Sequence, residues 1–411
     1  MTSTVALAPA AVPYRTIDTT TADGDFVVVH SLTTVAGVCL NRDLDGLPKT
    51  MLFGGTERLR VSSQALIRPA RTWIRAHSVL DEQGANSRYL PHQTALRLQE
   101  QGKDPADAVP AALLVVIAAG LSVDPAEPDK TRAMTYVPAN APDRLAHVML
   151  AHWDDTEVAR KETEARIATA LRTGPRGRGR KRPPPEDLPA TDLTDSLPTV
   201  MVAAAREAFA PGLALDIALF GRFLAEIPGG KIRSAVNVAH AMSVDPHVLL
   251  TDDYTAVDDW NTGGLLGGVG MLGSQHLSSG TLYRWACLNR RQLRENLAAS
   301  GADDDTVEQA AQRAERLFTT AITYTLPNAR SSRTGSAALP TLAIAATSDI
   351  TMTAAAAFET PIDPPSGEEA AARLAAYLTT AAQLNGGTAR WLSPTGADAP
   401  PLPGALTVEG H

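Results

Sequence analysis

Aromatic residues, cysteines and long apolar segments are all scarce in this chain. Only 5% of its 411 residues are aromatic, and there are two cysteines, Cys39 and Cys287. Two cysteines so far apart supply neither a metal-ligand spacing nor a disulfide framework, so a reduced, cytoplasmic setting is expected. The longest apolar run, Val109–Leu121, is too short to cross a bilayer and predicts a buried helix. The N-terminus lacks a basic region, so we expect no exported precursor.

Apolar material is nevertheless sufficient for a sizeable core, because 44% of the residues are hydrophobic and 20% are charged. This composition excludes a wholly disordered tail and a disulfide-stapled mini-domain. The length fits one large domain with insertions, or two to three modules. The net charge of −8 argues against a nucleic-acid partner unless basic residues gather on one surface.

The pattern along the chain predicts strands near both ends and a long helical block between them. The predicted strands are Asp25–Leu32, Ser278–Leu288, Leu342–Ala346 and Ile350–Ala354. The predicted helices are Gln93–Gln101, Ala106–Leu121, Ala141–Leu171, Val200–Leu224, Asn289–Ala299, Asp303–Thr319 and Gly367–Gln383. This order indicates an α+β fold whose central sheet is interrupted by an insertion.

A segment rich in glycine, arginine and proline, Thr173–Pro189, separates two of the predicted helices. Neither a helix nor a strand persists through such a composition, so it predicts a mobile surface loop. Its basic residues are Arg176, Arg178, Arg180, Lys181 and Arg182. The composition is equally typical of a contact for a polyanion and of a solvated linker.

The segment Leu40–Arg75 carries the most distinctive chemistry. Between Gly46 and Arg75 its only acid is Glu57, and its basic residues are Lys49, Arg58, Arg60, Arg68, Arg71 and Arg75. The acidic total therefore conceals a basic patch. Gly54–Gly55 permits a tight turn, and Arg58 and Arg60 share a face if the backbone there is extended.

Neutral donors at Ser62, Ser63 and Gln64 come immediately before a predicted helix, Ala65–Arg75. The first N–H groups of a helix are available to an anion. Cations, neutral donors and backbone amides together are the contacts that hold a phosphate chain without recognising its bases. A capped helix after a solvated strand would show the same spacing, so spacing alone leaves both alternatives open.

Several ordered motifs carry a family resemblance. Three motifs lie within Leu40–Arg68, namely LNRD, PKTMLFGG and RLRVSSQALIR. The later motifs are Asp216–Arg222 (DIALFGR), Val238–Met242 (VAHAM), Thr255–Asp259 (TAVDD) and Ser278–Asn296. In this order they closely resemble the CasC-type backbone subunit of the type I-E CRISPR surveillance complex, Cascade, in the RAMP superfamily. The loop Thr173–Pro189 and the chain after about Pro340 lie outside these motifs.

The resemblance implies a hand-shaped α+β fold. An RRM-like (ferredoxin-like) palm would carry a helical fingers insertion and a β-hairpin thumb. The implied divisions are a flexible N-terminal extension (1–24), palm (25–78), fingers with the basic loop 173–189 (79–224), palm (225–246), thumb (247–281), and palm with a C-terminal helix (282–411).

The resemblance also implies a non-enzymatic function without a cofactor. Several copies would stack along one CRISPR RNA, and each thumb would flip out a nucleotide at a regular interval. The remaining bases would pair with target DNA, so that sequence specificity belongs to the RNA. The implied partners are CRISPR RNA, target DNA through the guide, neighbouring copies and other Cascade subunits, with no membrane.

The resemblance further assigns RNA contacts to individual residues. Those near the N-terminus are Asn41, Arg42, Lys49, Arg58, Arg60, Ser62, Ser63, Gln64, Arg68 and Arg71. Ile67 is a departure, because relatives can carry a basic residue at this position. One phosphate contact is then either missing or supplied by Arg68. A second basic loop, Asn328–Arg333, contributes Arg330 and Arg333.

The thumb is expected within His247–Thr281, with a flexible glycine-rich interior, Thr262–Gly273. Leu272 and Phe223 match apolar positions that wedge against bases, and the alternative is that both are core residues. Tyr254 matches an aromatic near the kinked nucleotide. Asp253 stands where relatives can carry an aromatic, so a second stacking contact is in question.

Two other classes of protein compete with this interpretation. A metal-dependent RNA nuclease would use the cluster Asp252, Asp253, Asp258 and Asp259 to hold Mg²⁺, with His240 and His247 as a base or ligand pair. No histidine–carboxylate metal signature accompanies the cluster, however. A free-standing RRM-type protein would stack bases on paired aromatics, for which Tyr283 and Trp285 are the candidates.

Overall fold

The computed structural model describes residues 18–123, 127–173, 195–224, 227, 229–256, 271–328, 334–335, 337–384, 390–393 and 405–407. These residues form two compact units, each built from segments that are distant in sequence. The helical unit comprises the described residues within 78–235 and 292–311. The sheet unit comprises those within 18–77, 236–291 and 312–407.

The helices and strands are numbered in chain order. The helices are α1 (Ser63–Ala76), α2 (Leu90–Glu100), α3 (Pro105–Ala118), α4 (Ala141–Ala151), α5 (Glu157–Thr173), α6 (Thr199–Glu207), α7 (Leu215–Phe220), α8 (Arg290–Ala298), α9 (Asp304–Tyr324) and α10 (Gly367–Leu384). The strands are β1 (Phe26–Val38), β2 (Thr50–Phe53), β3 (Thr56–Val61), β4 (Gly84–Ser87), β5 (Thr135–Pro138), β6 (Arg222–Phe223), β7 (Lys231–Ile232), β8 (Val236–Val238), β9 (Ala241–Ser243), β10 (Leu250–Ala256), β11 (Met271–Asn289), β12 (Leu342–Ser348), β13 (Arg390–Ser393) and β14 (Ala405–Thr407).

A large, mainly antiparallel sheet organises the sheet unit. Its strand order is β14-β13-β12-β1-β11-β9-β3-β2, and β8 and β10 also pair with β11. Strand β1 is central and antiparallel to both neighbours, with Val28 opposite Cys287 on β11 and Ala346 on β12. The mixed α and β composition with an antiparallel sheet agrees with the predicted α+β class.

Successive residues of β11 contribute to different apolar clusters, because neighbouring side chains on a strand point to opposite faces. Tyr283 packs in a cluster with Leu374 and Leu378 of α10. Leu282 packs in another with Leu66 of α1. Both faces of the sheet are therefore covered at this point.

The helical unit is built around α3. Every residue of α3 from Pro110 to Ala118 is buried, which agrees with the buried helix predicted from the run Val109–Leu121. Helices α2, α4, α5 and α6 pack against it. In the described part of the chain, no helix is both long and apolar enough to traverse a lipid bilayer.

Two predicted long helices are each divided in the structure. Ala141–Leu171 separates into α4 and α5, because the N–H groups of His152 and Trp153 donate to carbonyls three residues back, on Met149 and Leu150, instead of four. Val200–Leu224 separates into α6 and α7 around Pro211–Gly212, where Gly212 has a φ of +55°. Proline and left-handed glycine both oppose helix continuation.

The predicted strand Ile350–Ala354 is wrong, since these residues lie outside any strand. The backbone of this segment forms hydrogen bonds with side chains and not with the backbone of a neighbouring strand. The indole N–H of Trp285 donates to the Met352 carbonyl at 2.7 Å, and the Ala354 N–H donates to the Tyr283 hydroxyl at 2.8 Å.

Arg290 fixes the beginning of the described chain. Its guanidinium pairs with Glu315 at 2.6 Å and donates to the carbonyls of Thr19, Ala22 and Gly24. Both members of the ion pair are more than nine-tenths buried. Residues 19–24, expected to belong to a loose extension, are therefore anchored, whereas residues 1–17 lie outside the described part.

We expect Arg290→Met to lower the free energy of unfolding by about 3–5 kcal/mol, because it leaves Glu315 charged and buried without its cation. Urea denaturation followed by circular dichroism measures this change. Arg373→Met is the matched control, since it breaks an exposed pair with Glu369 and should cost at most about 1 kcal/mol. Equal effects of the two substitutions would contradict the anchoring role of Arg290.

Candidate nucleic-acid interface

Hydrogen bonds connect the LNRD motif to the start of α1. The side-chain oxygen of Asn41 accepts from the Ser62 N–H at 3.0 Å, and its carbonyl accepts from the Lys49 N–H at 2.8 Å. Ser62 in turn caps α1 by accepting from the Ala65 N–H at 3.4 Å. Asn41 and Ser62 thus hold the loop, the strand β3 and the helix N-terminus together.

Lys49 and Arg60 are brought side by side across β2 and β3. The Arg60 N–H donates to the Lys49 carbonyl at 2.8 Å. The Arg60 guanidinium donates to the Thr50 carbonyl at 3.2 Å and lies 2.9 Å from Nδ1 of His240. His240, in the VAHAM motif, therefore belongs to this group of basic residues, a position the sequence analysis did not predict.

One face of α1 continues the basic surface. Gln64, Arg68 and Arg71 are spaced i, i+4, i+7 and so lie along the same side of the helix, while Leu66, Ala70 and Ile74 are its buried residues. Gln64 and Arg68 are exposed, and Ser63 and Arg71 are half-buried. The exposed Arg42 is on the loop before β2. Of the residues predicted from the resemblance to contact RNA, Asn41, Lys49, Ser62 and Gln64 lie at the N-terminal end of α1, and Arg68 and Arg71 lie further along it. Arg58 is an exception.

The exception is Arg58, whose predicted contact with a phosphate is wrong. Its side chain is completely buried, and its guanidinium donates to the carbonyls of Ser243, Phe358 and Glu359 at 3.0–3.3 Å. Burial lowers the pKa of Arg58, and the nearby Asp245 carboxylate partly opposes this shift. Arg58 joins β3 to β9 and to the turn at Phe358. It is a structural residue.

A β-hairpin of β10 and β11 occupies the region predicted to be a thumb. Leu250 pairs with Leu277 and Ala256 with Met271, and every residue of β10 is exposed. Tyr254 lies against Gly273 so closely that a Cβ on Gly273 would meet its ring at 2.7 Å. Leu272 is paired with Thr255 and so lies on the opposite face of the hairpin from Tyr254.

The two proposed wedge residues are both on the surface. Leu272 is 75% exposed, and Phe223, which belongs to the helical unit, is 72% exposed. The alternative that they are core residues is therefore wrong. Single exposed apolar side chains are common on protein surfaces, so exposure alone does not assign these two residues a partner.

Of the four aspartates in the nuclease alternative, the structure describes Asp252 and Asp253. Asp252 and Asp253 are consecutive on β10 and so point to opposite faces, and Asp252 accepts from the Gln275 amide at 2.8 Å. No group of three metal-ligating side chains occurs among the residues that the structure describes. The described residues do not include Asp258, Asp259, Arg330, Arg333 or the basic residues of the loop 173–189.

The two histidines of the nuclease alternative have different partners. His240 contacts Arg60, whereas Nε2 of His247 lies 2.8 Å from the Ser278 hydroxyl. Nothing in the described chain brings either of them to Asp252 or Asp253 by a hydrogen bond.

The aromatic pair of the RRM-type alternative cannot stack on bases. Tyr283 is buried, its hydroxyl lies 2.9 Å from Nδ1 of His30, and burial lowers the pKa of His30 to about 3. The Trp285 indole is fixed by its bond to Met352. Both aromatics are therefore occupied within the sheet unit.

Comparison with known proteins adds to this geometry. Residues 27–402 match the CT1975-like protein family (Cas_CT1975). A chain of a solved "CRISPR RNA-guided surveillance complex, pre-nicking" is 28% identical, with a TM-score of 0.72, over 93% of this chain and 96% of that one. A chain of a second "CRISPR RNA-guided surveillance complex" is 25% identical, with a TM-score of 0.64 and the same coverage. No curated protein matches the chain.

The fold and the match define a CRISPR-associated protein of the Cascade type, which confirms the resemblance found in the motifs. Because the match covers most of the chain, the protein belongs to the CT1975-like family.

We expect Arg58→Met to lower the free energy of unfolding by about 1–3 kcal/mol, because it removes the donors to three buried carbonyls. It should leave the salt dependence of nucleic-acid binding unchanged, since the buried cation contacts no phosphate. Arg68→Ala should behave in the opposite way. Denaturation and binding titrations at several salt concentrations measure both; a smaller salt slope in Arg58→Met would contradict the assignment.

Proposed function

We propose that this protein is the non-enzymatic backbone subunit of a type I-E Cascade surveillance complex in the cytoplasm. Several copies bind one CRISPR RNA along its backbone and present it for pairing with target DNA. The observation that carries the proposal is the surface formed by Lys49, Arg60 and Arg68 around the N-terminal end of α1.

This surface has the chemistry of a phosphate contact. The side chains are cations and amide or hydroxyl donors, and Ser62 leaves further N–H groups of the first turn of α1 without an intrahelical partner. Such groups bind phosphates whatever the base sequence. A subunit that binds many different guides needs this kind of contact, because recognition of the target belongs to the guide RNA.

In this proposal the sheet unit supplies the palm and the hairpin of β10 and β11 is the thumb. The helical unit supplies the fingers. Leu272 and Tyr254, on the two faces of the hairpin, contact unstacked bases beside the kinked nucleotide. Insertion of an apolar side chain into a base stack costs a few kcal/mol, so the phosphate contacts must offset this cost.

The sharpest test replaces Lys49, Arg60 and Arg68 together by alanine. We expect weaker binding of CRISPR RNA by about the same factor for unrelated spacers, and a salt slope smaller by about 2, because each lost contact to a single strand contributes about 0.7. Filter binding at several salt concentrations measures both quantities.

The matched control is Lys161→Ala/Arg166→Ala/Arg373→Ala. It removes the same charge at the exposed Lys161 and at the half-buried Arg166 and Arg373, which pair with Glu157, Glu162 and Glu369. A loss of affinity that depends strongly on spacer sequence, or an equal loss in the control, would contradict a contact with the RNA backbone.

The absence of catalysis is tested separately. We expect the purified protein, with Mg²⁺ or Mn²⁺, to leave labelled RNA and DNA intact. The amount of cleavage product should equal that of the Asp252→Ala/Asp253→Ala variant. Gel analysis of the products over several hours checks this. Cleavage by the wild type that disappears in the double variant would establish the nuclease alternative.

A further inference from the structure

Two acceptors hold the guanidinium of Arg60 in place on the basic surface beside α1. Its Nε–H donates to the Thr50 carbonyl at 3.2 Å, and its Nη1 lies 2.9 Å from Nδ1 of His240. Arg60 is half-buried, and none of the acids that the structure describes forms an ion pair with it. Its orientation therefore depends on a carbonyl and an imidazole, and not on a carboxylate.

The chemistry of the two side chains determines which of them donates. A guanidinium has five N–H donors, has no acceptor, and does not lose its proton in proteins. Nδ1 of His240 is therefore the acceptor of the bond from Arg60, and the ring proton of the neutral imidazole is on Nε2. Towards Arg60, His240 is thus an acceptor and not a second cation.

The sheet fixes the backbone that presents this acceptor. Arg60 on β3 pairs with Met242 on β9, two residues after His240, and Met242 also pairs with Tyr283 on β11. On the other side of His240, the Ala239 N–H donates to the Trp285 carbonyl at 3.1 Å. The position of the imidazole next to Arg60 is therefore set by the sheet before any ligand binds.

Arg60 and Arg68 differ in how far their side chains are fixed in advance. The Arg68 side chain is exposed and forms no hydrogen bond with any described residue, so it loses rotamer freedom when it binds a phosphate. Arg60 has already lost much of this freedom, yet three of its five N–H groups have no acceptor in the described chain. Two N–H groups of one guanidinium can donate to the same phosphate. Arg60 is therefore a preorganised donor.

We propose that His240 is a positioning residue, whose Nδ1 orients the Arg60 guanidinium for a phosphate of the guide RNA without itself contacting the RNA. The inference rests on the proposed function and extends it to a residue that the family resemblance does not assign to RNA. It also gives His240 a role different from the base or ligand of the nuclease alternative.

The test is a double-mutant cycle in the full-length protein, with binding of CRISPR RNA measured by filter binding. We expect His240→Ala to weaken binding roughly two- to tenfold, the cost of immobilising one long side chain. Arg60→Ala/His240→Ala should bind no more weakly than Arg60→Ala alone, because His240 acts only through Arg60. The matched control is Arg68→Ala/His240→Ala, in which the two losses should multiply, since no hydrogen bond joins these residues.

A conservative variant separates positioning from direct contact. His240→Asn places an acceptor oxygen on Cγ, where histidine carries Nδ1, but has no counterpart of the Nε2–H donor. We expect it to restore the affinity of the wild type. We also expect circular dichroism to show the same thermal unfolding for His240→Ala as for the wild type, because the bond that is lost lies at the surface.

Losses that multiply in Arg60→Ala/His240→Ala, or a His240→Asn variant as weak as His240→Ala, would show that His240 contacts the RNA directly and would overturn the proposal. So would wild-type affinity of His240→Ala. The Lys49→Ala/Arg60→Ala/Arg68→Ala variant is measured in parallel. If it loses RNA binding while His240→Ala does not, only the positioning inference fails; if neither loses binding, the proposed function fails as well.

Discussion

The hydrogen-bond ladder of β11 is the constraint on which the rest of the sheet unit depends. At its C-terminal end the strand pairs with both β1 and β8, and at its N-terminal end it pairs with β10 alone. One strand therefore belongs both to the buried sheet and to the exposed hairpin. The register of β10 against β11 determines which side chains of the hairpin share a face, because the side-chain period of a strand is two residues. Leu272 is opposite Thr255, so Tyr254 and Leu272 lie on opposite faces.

Arginine has two distinct functions in this chain. Arg58, Arg222, Arg284 and Arg290 are buried and donate to backbone carbonyls. Arg284, for example, binds the last carbonyls of α9, and burial lowers its pKa to about 10. A guanidinium has five donors, which suits it to joining segments that offer only acceptors. Arg42 and Arg68 belong to a different set, since their side chains are exposed.

Much of the fold could be predicted from the sequence, because strong apolar patterns determine it. The strand at Asp25–Leu32, the buried helix after Asp104 and the strand at Ser278–Leu288 all occur close to their predicted positions. The divided helices and the missing strand at Ile350–Ala354 could not be predicted. The helix breaks depend on local backbone geometry, such as the positive φ of Gly212, and the segment 350–354 is bound by the side chains of Trp285 and Tyr283.

The candidate interface, too, could be predicted from the sequence only in part. Periodicity places Gln64, Arg68 and Arg71 on one face of α1, and the motifs identify Lys49 and Arg60. Neither source shows that Arg58 is enclosed, because its burial is produced by Phe358 and Glu359, which are distant in sequence. His240 was missed for the same reason, since only the pairing of β3 with β9 brings it to Arg60.

The dual membership of β11 has a consequence for local stability. Amide protons near Cys287 are held between two neighbouring strands in a buried layer, so their exchange with solvent requires opening of the sheet. Amides near Met271 have a single exposed neighbour and open at a much smaller free-energy cost. Rigidity therefore decreases along one continuous strand, from its C-terminal end in the sheet to its N-terminal end in the β10–β11 hairpin. An element that closes over a ligand and releases it benefits from this gradient, because the end moves while the sheet stays intact.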